Sequence, residues 1–154
     1  MLDKPEIIQT EILQAAIIHL TIPRSEMQKV MGPAIGELKA AVAAQGITPT
    51  GPIFAHHLKM DTQSFDFELG LPVATPVSAT GRVKPGSLGG AKVVRAVYHG
   101  PYEKLYTAWG EVGAWMSAEG LTGAPDLWES YVSGPESDPD PSTWRTELNR
   151  PLVR

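Results

Sequence analysis

The stretch AKVVRAVYHGPYEKLYTAWGEVGAWMSAEG, residues 91 to 120, changes its period in the middle. AKVVRAVY is apolar and rich in β-branched residues and reads as a strand, which Gly100 and Pro101 then turn. Beyond the turn, Tyr102, Leu105, Tyr106, Trp109, Val112, Gly113 and Met116 recur at three- and four-residue spacing. That spacing predicts one apolar helix stripe, ended by Gly120.

The same order stands earlier in the chain. AAIIHLTI, residues 15 to 22, is followed by Pro23, and Ser25 with Gln28 three positions on gives a capping-box signal. Met27, Val30, Met31, Ala34, Ile35, Leu38, Ala41 and Val42 then form a helix stripe that Gly46 and Pro49 stop. Two strand-like runs follow the first stripe, IFAHHLKM (53 to 60) and SFDFELGLPV (64 to 73), and two follow the second, DLWESYV and TWRTELNRPL. Set side by side, Gly36 and Glu37 fall on Gly110 and Glu111, Gly46 on Gly120, Phe54 on Trp128, and Glu68, Leu69 and Pro72 on Glu147, Leu148 and Pro151.

Each half therefore reads strand, helix, strand, strand. One such unit has too little sheet to cover its helix, so the expected fold class is α+β: duplicated units forming one antiparallel sheet with two helices and a pseudo-twofold axis. The chain is expected to be a single domain over 1–154, with repeat 1 at about 13–73, a linker at about 74–90 and repeat 2 at about 91–153. The linker TPVSATGRVKPGSLGG (75–90) is rich in Gly, Pro and Ser and reads as part strand extension, part loop; PESDPDPS (135–142) reads as an acidic, proline-broken hairpin loop.

At 154 residues there is room for one domain with a real core, and 42% hydrophobic against 19% charged residues is a globular balance. Thirteen basic and seventeen acidic residues give a net charge of −4 with no basic stripe, so direct nucleic-acid binding is not expected. The absence of cysteine excludes disulfides and thiolate chemistry. MLDKPEIIQTEILQ lacks the features of a signal peptide, and no apolar run approaches membrane-spanning length, so a cytoplasmic protein without membrane association is expected. GSLGG lacks the Lys and spacing of a phosphate loop, and no GxSxG elbow occurs. His56 and His57 are adjacent and point to opposite faces of a strand, His19 falls on the exposed side of its strand and His99 in a turn, so neither a metal nor a cofactor is expected.

The candidate chemistry lies in WESYVSGPESDPDPSTWRTELNRP, residues 128 to 151. Alternation groups Leu127, Glu129 and Tyr131 on one face of their strand, and Arg145, Glu147 and Asn149 on one face of the next. If the two strands form a hairpin, Glu129 and Glu147 are expected to share a face. A carboxylate among aromatic rings is costly unless a positive or hydrogen-bonding group meets it, and a cationic guest would do so. The same residues also fit two solvent-facing glutamates with Arg145 as a surface partner. The aromatic stripe Tyr102, Tyr106, Trp109 is open in the same way: it fits core packing, or one wall of a groove whose other wall is Met27, Met31 and Ile35.

The segments GGAKVVRAVYHGPYEKLYTAWGEVGAWMSAEG, WESYVSGP and TELNRPL resemble the GyrI-like small-molecule-binding domain, the effector-binding domain of AraC-type and MerR-type multidrug regulators. The resemblance implies a ligand cleft between the two helices above the sheet. It implies that Glu129 in WESY faces lipophilic cations, that Glu147 is the matching final-strand glutamate, and that Tyr131 and Asn149 stand beside them. Trp109, Tyr106, Tyr102, Met31 and His57 complete the expected ligand contacts. Regulators carry a helix-turn-helix ahead of this domain, whereas here the first strand starts within about fifteen residues of Met1, so a stand-alone form is expected. The leading expectation is a binding module for lipophilic, aromatic ligands, cationic ones included. One alternative is a hydrolase opening the strained cyclopropane of DNA-alkylating natural products, with Glu147 or Glu129 and Tyr131 as candidate catalytic residues. The other is an interaction protein acting on DNA gyrase. Whether the chain is an enzyme, and its oligomeric state, stay open on sequence alone.

Overall fold

The two apolar stripes are helices, α1 (Met27–Ala44) and α2 (Leu105–Ala118), in a computed structural model that describes residues 1–60, 63–135 and 137–153. Among the described residues there are eight strands: β1 (Glu6–Gln9), β2 (Leu13–Pro23), β3 (Phe54–Met60), β4 (Ser64–Pro72), β5 (Lys84–Leu88), β6 (Lys92–His99), β7 (Leu127–Ser133) and β8 (Arg145–Pro151). The architecture is α+β and the strand pairings are antiparallel, as the repeated strand-helix-strand-strand pattern predicts.

The chain divides into two compact units, Met1–Thr10 with Ala91–Arg154, and Glu11–Gly90. In the first the strands run β1-β6-β8-β7, and in the second β3-β4-β2-β5. The repeated core is thus extended in each unit by one short edge strand, β1 on β6 and β5 on β2. Neither edge strand shows the alternation of a half-buried strand. EIIQ is mostly exposed, and KPGSL carries Pro85 and Lys84, residues suited to an edge.

The helices seat on their sheets through matching residues. In α1 the buried side chains are Ala34, Leu38 and Val42, and in α2 they are Ala108, Val112 and Met116, each set stepping by four along one ridge. The α2 ridge packs with Val94, Ala96, Tyr98 and Leu148 into one apolar cluster. Val, Leu and Met side chains buried in this way contribute about 1.5–3 kcal/mol each.

Both helices stop by the same device. Gly46 (φ 67) and Gly120 (φ 70) take the left-handed conformation, and the next residue's amide reaches back five residues, Ile47 N to Val42 O at 3.1 Å and Leu121 N to Met116 O at 2.9 Å. These are Schellman caps, and they need the conformational freedom of glycine. The N-termini depart from expectation. A 3-10 turn, Arg24–Glu26, precedes α1, and the capping position falls on Glu26 without a side-chain bond, so Ser25 and Gln28 do not form a capping box. The equivalent turn before α2 is Tyr102–Lys104. In the acidic loop, Asp140 accepts from the Ser142 amide at 3.1 Å and starts a short 3-10 turn, Pro141–Thr143; Glu136 of that loop lies outside the described residues. No described helix is long and apolar enough to cross a membrane.

Candidate functional site

Strand register decides which side chains can meet. Along β7 and β8, Trp128 lies opposite Asn149, Glu129 opposite Leu148, Ser130 opposite Glu147 and Tyr131 opposite Thr146. Directly opposed residues project from the same face of a sheet. Glu129 and Tyr131 therefore share the face of Leu148, which packs under α2, whereas Glu147 and Asn149 project from the other face. The expectation that Glu129 and Glu147 share a face is overturned.

Glu129 is buried, 8% exposed, and both of its carboxylate oxygens are occupied. Trp109 Nε1 donates to Oε2 at 2.7 Å, and Tyr131 Oη donates to Oε1 at 2.9 Å. Trp109 sits one position along α2 from the buried Ala108, so its indole leans off the core ridge toward β7. Tyr131 lies two residues beyond Glu129 on the same strand face, close enough for its phenol to fold back on the carboxylate. Tyr102, the first residue of the turn before α2, places its ring 5.7 Å from that of Tyr131 and 5.1 Å from that of Trp144. Trp144 is itself held by an Nε1 bond to the Asp138 carbonyl at 2.7 Å. Two aromatic residues thus bond the acid, and Tyr102 and Trp144 extend the ring cluster from Tyr131.

Burial pushes the Glu129 carboxyl above its ordinary range, and the bonds from Trp109 and Tyr131 only partly oppose it. The Tyr131 phenol is held well above its own range, first by burial and then by the Glu129 charge, so it stays a proton donor. Among the described residues no cation pairs with Glu129. The arrangement can accept charge or a hydrogen bond from a guest, in competition with the two donors it already holds.

The other expected residues are placed elsewhere. Glu147 pairs with Arg95 Nη2 at 3.3 Å, and the fully buried Asn149 accepts from Arg95 Nε at 2.8 Å, so that charge is already balanced. Arg95 was not singled out from the sequence. The signal that could have found it is its position opposite Asn149 and next to Glu147 in β8, which needs the register to be known. Tyr106 is 84% exposed on α2 and belongs to no core stripe. Met31, on α1, and His57, on β3, lie in the other unit. His57 is 3% exposed, with ring centroids 5.3 Å from Phe65 and 5.2 Å from Phe67. Among the described residues no three His, Asp or Glu side chains are placed to hold a metal.

Residues 3–152 match the family model described as the GyrI-like small molecule binding domain. No curated protein matches the sequence. The fold is similar to that of the EcmrR C-terminal domain, at 20% identity and a TM-score of 0.83, covering 100% of this chain and 98% of that one. In the EcmrR–DNA complex the likeness spans 57% of the EcmrR chain. It is also similar to a hydrolase encoded by lin2189 from Listeria innocua, at 17% identity and a TM-score of 0.70 over 97% of this chain and 92% of that one. A further likeness is to SAV2435 bound to tetraphenylphosphonium, at 15% identity and a TM-score of 0.65 over 98% and 94%.

Proposed function

We propose that this chain, which belongs to the family of GyrI-like small molecule binding domains, captures lipophilic aromatic cations at the Glu129 carboxylate. The observation that carries this reading is a buried acid held by Trp109 and Tyr131, with no cation paired to it among the described residues. Water has been largely removed from the carboxylate, so a positive guest finds its charge little screened there. Rings such as those of Trp109 and Tyr131 add about 0.5–2 kcal/mol each to a cation placed over a face, and they tolerate guests of varied shape. The tetraphenylphosphonium bound to SAV2435 is a lipophilic cation of this class, and its structure supports the reading by likeness of fold. The ion-paired Glu147 has no part in this site.

Titrating tetraphenylphosphonium and a panel of planar cations against tryptophan fluorescence tests the reading. Dissociation constants on the order of micromolar are expected, and Glu129→Gln should weaken them at least about tenfold. The glutamine keeps a carbonyl for Trp109, and the Tyr131 hydroxyl can turn to accept, so the variant should fold and melt no lower than the wild type at neutral pH. A wild-type protein that responds to none of the cations removes the proposal, as does an unchanged affinity in Glu129→Gln.

A further inference from the structure

The fold does not require an acid at position 129. In the first repeat Ala55, opposite Leu69, holds the place that Glu129, opposite Leu148, holds in the second, and the strands pair in the same way around a methyl group. Glu129 is a feature added to a frame that closes without it, and its two bonds show what it is set up to do.

The two partners are chemically unlike. The Trp109 indole at Oε2 can only donate, whereas the Tyr131 hydroxyl at Oε1 can donate or accept. The 2.7 Å bond from the indole therefore keeps Oε2 an acceptor whatever the charge of the acid. The 2.9 Å contact with the phenol serves two states: the phenol donates to a carboxylate, or a protonated Oε1 donates to the phenol oxygen. Tyr131 is half-buried, so its own hydrogen can turn away while it accepts. A proton thus has one place in the site, between Oε1 and Tyr131.

Among the described residues of this unit, no charged group takes that proton's place. Arg150, on the sheet face of Glu129, gives its Nε to the Ala124 carbonyl at 2.8 Å, and Tyr98 gives its hydroxyl to the Pro101 carbonyl at 3.0 Å. Arg95 and Glu147 pair on the other face. Tyr102 lies against Tyr131, and Glu103, Lys104 and Glu111 are exposed on the turn and on α2. Burial without a countercharge strengthens the carboxyl's hold on its proton.

We infer that the site trades a proton for its guest: in mild acid with no guest bound, Glu129 carries a proton on Oε1 that it donates to Tyr131, and a permanent lipophilic cation enters as that proton leaves. This rests on the reading that cations are captured at Glu129. The carboxyl O–H bond breaks, its electron pair stays on the carboxylate, the proton goes to the buffer, and no covalent bond forms to the guest. A neutral acid is replaced by an ion pair, so neither state leaves a lone charge out of water. The trade also selects by charge, since a neutral aromatic molecule of the same shape does nothing to expel the proton.

The test titrates the full chain with tetraphenylphosphonium by calorimetry, from mildly acid to neutral pH, in buffers of different ionisation enthalpy, which counts the protons released. About one proton per cation is expected at the acid end, with affinity rising about tenfold per pH unit there, and both effects fading as the free acid ionises. In Glu129→Gln the residual binding should release none. Tyr131→Phe removes a donor that favours the carboxylate, so release should persist to higher pH than in the wild type. Binding that Glu129→Gln weakens but that releases no proton at any of these pH values overturns the inference and leaves the cation reading standing. Release that survives Glu129→Gln, or that fails to move to higher pH in Tyr131→Phe, also overturns it. A wild-type protein that binds no tetraphenylphosphonium, or binds it no better than Glu129→Gln does, removes both. Should Glu129→Gln fail to fold, the wild-type proton count and the Tyr131→Phe shift still decide.

Discussion

Glu129 and His57 are buried ionisable residues whose proton affinities move in opposite directions: the carboxyl is pushed up and the imidazole is pushed down to about 4. Each shift favours the neutral form, as burial demands. For His57 the unfolded chain takes up the proton first as pH falls, so its contribution to stability is complete above about pH 6.5, lost between there and about pH 4, and worth up to about 3 kcal/mol. Glu129 acts with the opposite sign, since its neutral form suits the folded chain and its ionisation, as pH rises through the folded value, costs stability. The two overlap in mild acid, and a single melting curve would blend them. The difference in denaturant stability between the wild type and His57→Phe should isolate the histidine, widening toward neutral pH and closing toward pH 4. A difference that stays flat across that range would show that the imidazole is not held neutral by burial.

At the scale of elements, the helices are the most legible part of the chain. Their apolar ridges step by four, and each is closed by a glycine whose left-handed conformation no β-carbon favours, so both the period and the stop are written in residue types. Gly120→Ala should destabilise the protein by about 1 kcal/mol, and Gly46→Ala by a similar amount, because the strain is in the backbone and nothing stands where the new methyl would lie. Equal chemical-denaturation midpoints for wild type and Gly120→Ala would refute the cap. The edge strand β1 was not legible, because four residues such as EIIQ carry too little pattern to distinguish a strand from a loop, whereas β5 falls in the linker that reads as part strand extension. The pairing of faces across β7 and β8 was not legible either. Alternation fixes which residues of one strand face together, but only the register couples two strands, and here, from Trp128 to Tyr131, odd-numbered residues of β7 lie opposite even-numbered residues of β8. A shift of one residue would have put Glu129 beside Glu147.

For the whole molecule, the duplication was visible as matched glycines, glutamates and prolines, yet the sequence boundary between the halves is not the boundary in space. Met1–Thr10 belongs with Ala91–Arg154, because β1 closes the edge of β6, and Asp3 N bonds to Val97 O at 2.9 Å. A chain lacking residues 1–10 should therefore melt at least about 5 °C lower and self-associate through the bared edge of β6, where Val93 and Val94 are fully buried in the intact chain. A truncated protein that stays monomeric with an unchanged melting temperature would show that β1 adds nothing. In the candidate site, alternation along one strand was enough to pair Glu129 with Tyr131, and Trp109 and Tyr102 were named as well, but without the bonds and ring contacts they make. Trp109 and Tyr102 come from the helix and the turn before it, and their roles depended on how the helix is rotated over the sheet.

The indole and phenol that hold Glu129 have a consequence for any visitor. They keep the acid solvated by the protein itself, so a cation captured as proposed would exchange with resident donors instead of filling an empty hole. Such an exchange would temper the strength of the proposed capture and ease departure. It also makes Trp109 the optical reporter for the titration that tests the proposal, because a group bound at the carboxylate would have to displace or shift the indole that holds it.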